Sequence, residues 1–203
     1  MAAMAGELRN ASWLKTLDQR MLAVGVPCGS FVGSDESTPG GMHIRYGGQF
    51  LPVTRAGFAA WWQLLRPRTP TEICDWVEQE RLGPGASTVN ELHGQGLIVP
   101  WHEDPIADMA TLAPHRLIPI GIGMGANADD PQTCTVTFGF VGGTVVIDPV
   151  SYTVWAACDG KTAIGEAVRR AAAALGLQVD EVWERFHATL PELGGGGMAL
   201  LDR

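Results

Sequence analysis

"RLIPIGIGMGANADD" (Arg116–Asp130) sets three glycines, Gly121, Gly123 and Gly125, behind an apolar run. A dinucleotide-binding loop needs a helix opening directly on such glycines and an acidic residue about 20 positions further on. Here "ANADDPQT" follows, which has the composition of a turn. The chain also holds a second version of the stretch, "RMLAVGVPCGSFVGSD" from Arg20. It pairs Leu22 with Ile118, Val24 with Ile120, Gly25 with Gly121, Val26 with Ile122 and Gly29 with Gly125, and puts Pro27 where Gly123 stands. A phosphate cradle needs backbone N–H groups, and proline has none. The stretch therefore reads as a glycine-containing strand and turn.

The correspondence runs on to the end of the chain. "MHIRYGGQFLPVT" (Met42–Thr54) matches "VTFGFVGGTVVIDP" (Val136–Pro149), each with a Gly-Gly pair between two strand-like runs, which is a hairpin signal. This alignment sets Gly47 against Gly143. "TRAGFAAWWQLL" then matches "VSYTVWAACDG" with Trp62 opposite Trp155, and Phe58, Trp61, Trp62 and Leu65 have helical spacing. The next helix opens on Thr69, Pro70 and Glu72, a capping box with proline at the first helical position. Its counterpart opens at Thr162 and stops at Gly176. Finally "ELHGQGLIV" (Glu91–Val99) matches "ELGGGGMAL" (Glu192–Leu200), setting Gly96 against Gly197. The last helix of the second copy, "DEVWERFHATLPEL", is longer than its partner "STVNELHG", and Pro191 is placed to kink it. The fold expected is α+β, a tandem duplication of a winged-helix-like unit with three strands, three helices and a glycine wing. Residues 1–19 form an N-terminal extension, 20–101 the first unit, 102–115 a linker and 116–203 the second unit.

Composition excludes several classes. The 203 residues carry a net charge of −8, which repels a phosphate backbone and makes nucleic acid an unsuitable partner. Four cysteines, Cys28, Cys74, Cys134 and Cys158, stand far apart with no metal-ligand spacing, so they read as free thiols of a cytoplasmic protein. No apolar run has membrane-spanning length, and the N-terminal segment has no apolar signal core. "WHEDP" (Trp101–Pro105) groups His102, Glu103 and Asp104, but adjacent residues do not converge on one ion, and no second cluster completes a site. Cys158 beside Asp159 lacks the electropositive setting of a nucleophile. No catalytic residue, metal site or cofactor is expected. Trp61, Trp62, Trp76, Trp155 and Trp183 read as core residues of helices, with Trp183 and Phe186 sharing one helix face.

"WAACDGKT" (Trp155–Thr162), followed by an amphipathic helix, an acidic-start helix and "ELGGGGM" (Glu192–Met198), resembles the PqqD-like family of recognition elements in peptide natural-product pathways. Asp159, Gly160, Thr162, Leu193, Gly197 and Met198 carry the likeness, which covers roughly residues 136–201. It is weak in the first unit, where Pro67 and Arg68 replace Asp-Gly. The resemblance implies a non-catalytic adaptor that binds a precursor (leader) peptide or a modifying enzyme, the peptide lying as an added strand on the third strand beside the third helix. An open strand edge offers unpaired donors and acceptors for that mode. In the second unit the residues involved would be Val145, Val146 and Ile147 on "TVVID", with Val182, Arg185, Phe186 and Leu190 on the last helix. The apolar helix positions recur every four residues, so the same stripe also reads as core. Arg185 would favour an acidic residue in the peptide. Pro52 in "QFLPV" makes the first unit the poorer binder. Two other readings stand beside this one: a winged-helix transcriptional regulator, disfavoured by the acids of the last helix, and a structural dimerisation module acting as a homodimer.

Overall fold

The computed structural model describes residues 18–30, 41–138 and 143–203. Most of the N-terminal extension lies outside them, as does the turn expected at Gly142. The chain is α+β and divides into two compact units, the first ending at Trp101 and the second running His102–Arg203.

The first unit orders its described elements as β1 (Arg20–Ala23), β2 (Val26–Ser30), β3 (Met42–Tyr46), β4 (Gln49–Val53), α1 (Arg55–Gln63), α2 (Pro70–Gln79), α3 (Gly85–Gly94) and β5 (Ile98–Trp101). Strands β2, β3 and β4 form an antiparallel meander, while β1 pairs with β5 in a separate two-stranded ladder. What reads as a single strand from Met21 is thus broken in two. Gly25 makes the break with φ at 107°, and a Cβ there would sit 2.6 Å from Ile44 Cγ2, so only glycine fits. The residues expected to form a wing after α3 instead end the helix, through Gly96 with φ at 71°, and return as β5. Gly47 and Gly48 both have positive φ, as a tight primed turn between β3 and β4 requires. The Thr69–Glu72 capping box is formed in both directions, with Pro70 at the start of α2. Ile44, Trp61, Leu64, Ile73, Val77 and Leu92 are fully buried between the meander and the helices.

The second unit repeats this order and these pairings: β6 (Arg116–Pro119), β7 (Ile122–Ala126), β8 (Cys134–Phe138), β9 (Gly143–Ile147), then three helices and β10 (Ala199–Asp202). Strands β7, β8 and β9 form a meander and β10 pairs with β6. The register slips between Gly123 and Gly125 as it does between Pro27 and Gly29, with positive φ at Gly29 and Gly125. The opening glycines are accordingly strand and bulge positions. A Cβ on Gly121 would lie 2.6 Å from Val136 Cγ1, and one on Gly123 would collide with the Tyr152 hydroxyl.

Two alignments made from sequence need correction. Gln49 faces Tyr46 as Gly143 faces Phe138, so Gly143 corresponds to Gln49 and not to Gly47. The buried counterpart of Trp155 is Trp61, 0% exposed, whose indole N–H donates to the Val24 carbonyl at 2.8 Å as Trp155 donates to Met198 at 3.2 Å. Trp62 is 43% exposed. The chain between β8 and β9 is longer than the Gly47–Gly48 turn, and that length shifts these two pairings.

Among its described residues the second unit has four helices. One precedes β6: α4 (Pro105–Leu112), within the stretch expected to be a solvated linker. Asp104 caps it, its carboxylate accepting the Ile106 N–H at 3.0 Å, and Pro105 occupies the first turn. After β9 come α5 (Pro149–Ala157), α6 (Ile164–Leu175) and α7 (Val179–Gly195). Asp148 caps α5 by accepting from Val150 and Ser151 N–H. In α6 the buried positions are Ile164, Ala167, Val168, Ala171 and Ala172, three and four apart, and the helix stops at Gly176 in the left-handed region. Helix α6 takes Ala163 as its N-cap, with no side-chain cap from Thr162. Helix α7 continues through Pro191, and α4 packs against it.

That packing places a polar pair in the interior. His187 Nε2 meets Asp108 Oδ2 at 3.0 Å, with the side chains 4% and 0% exposed, and the Trp183 indole donates to the Pro105 carbonyl at 2.7 Å. Helix α4 is thus part of the second unit.

Candidate functional site

Strand β9 lies at the edge of its meander, and no described strand pairs with its outer side. Beside that edge runs an open groove of about 550 Å³, with Val146, Ile147 and Asp148 on the strand side and Arg185, Ala188, Thr189 and Glu192 on α7. The two walls are tied at one point, where Ser151 Oγ meets Asp148 Oδ2 at 2.5 Å and Thr189 Oγ1 at 2.9 Å.

The groove divides the residues expected to bind a peptide. Val145, Ile147, Val182, Phe186 and Leu190 are buried, so their apolar stripe is mainly core, although Ile147 also reaches the groove. Val146 is 54% exposed and Arg185 faces solvent along the opposite wall. Asp148, Ala188, Thr189 and Glu192 were not singled out in sequence. Ala188, Thr189 and Glu192 lie three, four and seven positions beyond Arg185 on its helix face, a mostly polar row that the search for an apolar stripe passes over.

The first unit fixes the direction of the edge. There the Gln95 side-chain amide donates to the Pro52 carbonyl at 2.8 Å, and the Thr54 N–H donates to Glu91 Oε1 at 2.7 Å. In an antiparallel ladder, alternate residues turn both backbone groups to the same side. Positions 52 and 54 therefore face α3 and positions 51 and 53 face β3. Pro52 stands opposite His43 as Val146 stands opposite Thr135, so the Val146 N–H and C=O turn toward the groove.

In the first unit the equivalent edge is closed. Glu91 holds the Thr54 hydroxyl at 2.6 Å as well as its N–H, Gln95 covers the Pro52 carbonyl, and Pro52 offers no donor. At the corresponding places the second unit has Glu192, Asp148, Gly196 and Val146. A carboxylate at 148 cannot donate to Glu192 as the threonine hydroxyl does to Glu91. No side chain fits at 196 either, since a Cβ there would lie 2.5 Å from Val145 Cγ2 and 3.0 Å from the Glu192 carbonyl. One edge is latched by its own third helix and the other is open.

The charge of Arg185 is already engaged, its guanidinium lying 2.8 Å from Glu181 one turn earlier. Arg169 and Arg170 are likewise held by Glu166 at 2.8 and 3.0 Å. Asp159, in the Asp-Gly-Lys-Thr stretch, accepts the Thr162 and Lys161 N–H groups at 2.7 and 2.9 Å, and these bonds hold its pKa down at about 2. Burial, with help from Asp159, pushes the Cys158 thiol up to about 12, and burial with Glu78 and Asp75 does the same for Cys74. Both stay protonated near neutral pH, which is the opposite of an activated thiol.

The described residues contain no group of three or more His, Cys, Asp or Glu placed to hold a metal, and no described helix is long and apolar enough to cross a membrane. No protein-family model, curated protein or solved structure matches the chain.

Proposed function

We propose that this chain is a non-catalytic peptide-binding adaptor, a tandem duplication of a winged-helix-like unit in which the second copy takes up a partner peptide as an added strand on β9. The observation that carries the reading is the contrast between the two edges. The first unit's third strand is covered by Glu91 and Gln95 and carries Pro52, whereas the second unit's third strand turns the Val146 N–H and C=O into an open groove. Strand addition draws affinity from such backbone groups and specificity from the side chains beside them. The PqqD-like resemblance of residues 136–201 makes a precursor peptide of a peptide-modifying pathway, or the enzyme that modifies it, the natural partner.

Val146→Pro tests the reading. It removes the outward donor and leaves the β8 ladder intact, and it installs the residue that β4 already tolerates at the same position. Decapeptides selected on the full chain from a random display library serve as probes, with calorimetry for affinity and circular dichroism for folding. A folded variant that binds at least about tenfold more weakly is expected, one backbone hydrogen bond plus a steric block. Unchanged affinity in the folded variant would sink strand addition at this edge.

A further inference from the structure

We infer that the groove beside β9 selects an extended peptide carrying a lysine or arginine opposite Glu192. The inference rests on the strand-addition reading and adds the chemistry of the occupant. In the first unit, position 54 is a threonine whose N–H and hydroxyl both satisfy Glu91, at 2.7 and 2.6 Å. In the second, position 148 is an aspartate, and its carboxylate already accepts Val150 N–H, Ser151 N–H and the Ser151 hydroxyl. Two carboxylates thus line the groove where the other unit has a donor and an acceptor.

Arg185, the one cation among the described residues of the groove wall, does not offset them. Arg185 lies 2.8 Å from Glu181, so the pair is close to neutral toward a ligand. An acidic peptide residue would have to break that pair and face Asp148 and Glu192. A basic one replaces water around two anions, beside an edge that fixes its backbone. The net charge of −8 over the whole chain acts in the same direction at long range. Arg185 therefore does not set a preference for acid, contrary to what its position in the sequence suggests.

The test uses the peptides selected on the full chain. Their sequences should show Lys or Arg enriched over Asp and Glu at one position. A synthetic peptide with that residue should bind about five- to tenfold more tightly than its Gln analogue, the difference shrinking at high salt. Glu192→Gln should remove most of the difference, weakening the Lys or Arg peptide more than its Gln analogue. Asp148→Asn, which keeps an N-cap for α5, should reduce the difference. Enrichment of acidic residues, or a Lys preference untouched by Glu192→Gln, would overturn the inference while Val146→Pro still weakened every peptide. If Val146→Pro has no effect on any peptide, strand addition itself fails. A homodimer that Val146→Pro dissolves would make a second copy the occupant and would overturn the peptide proposal.

Discussion

Removing the His187 imidazole should cost the second unit more than removing the Asp108 carboxylate that it meets. His187 and Asp108 are 4% and 0% exposed and lie 3.0 Å apart, so solvent screens neither, and Asp108 Oδ1 already has no hydrogen-bond partner. His187→Ala leaves a buried carboxylate with neither oxygen bonded. Breaking a buried pair in this way costs about 3–5 kcal/mol. Asp108→Ala takes one hydrogen bond from the buried imidazole and leaves no carboxylate behind, at about 1–3 kcal/mol. The double variant removes both polar groups and should be less damaging than the two losses together, with a coupling of about 1–3 kcal/mol. Urea unfolding of the full chain, followed by tryptophan fluorescence, reads these values. A loss of 3 kcal/mol moves the midpoint by about 1–3 M. If the two single losses add to within about 0.5 kcal/mol, or if His187→Ala is the milder variant, the pair does not hold α4 on α7 as argued.

Gly121→Ala should destabilise the second unit by more than 1 kcal/mol, because its Cβ would lie 2.6 Å from Val136 Cγ1 and 3.1 Å from the Thr137 carbonyl. Gly94→Ala, in α3 with nothing within 4 Å, should stabilise the first unit by about 0.4–1 kcal/mol in the same urea titration. Asp159 has its pKa lowered from 3.8 to about 2, so its contribution to stability is fully present above pH 4 and is lost as pH falls toward 2. The difference in Tm between the parent chain and Asp159→Ala should therefore be constant from pH 7 to pH 5 and shrink below pH 4; a difference that grows in acid would contradict the hydrogen bonds assigned to this carboxylate.

Much of the fold was legible because it is written in local chemistry. The Thr69–Glu72 box, Pro70, Gly176 and the Gly47–Gly48 turn each satisfy a backbone requirement that only a few residue types meet. The repeat itself was visible in paired glycines. What escaped depended on tertiary context. Helix α4 was hidden by the polar run His102–Asp104, although Asp104-Pro105 followed by apolar residues is a helix start. The Trp61–Trp155 match was lost by one residue, because the longer chain between β8 and β9 changes the register and two adjacent tryptophans look alike in sequence. The candidate site was half legible. Strand alternation separates Val146, which is exposed on the groove, from Val145 and Ile147, but the Val182–Phe186–Leu190 stripe turned out to be mainly core, and the polar row at Arg185, Thr189 and Glu192 forms the helix side of the groove. The latch on the first unit joins residues 37 and 43 positions apart, beyond the reach of any local pattern.

Backbone amide hydrogen exchange, read residue by residue on β9 with and without a selected peptide, tests strand addition most directly. In the free chain the Val146 and Thr144 amides should exchange quickly, while those of Val145 and Ile147, which face β8, are protected. Saturating peptide should slow Val146 and Thr144 by at least about tenfold and leave the inner amides as they were. Equal exchange at Val146 and Thr144 with and without bound peptide would mean that the peptide binds elsewhere, and the account of the open edge would be wrong.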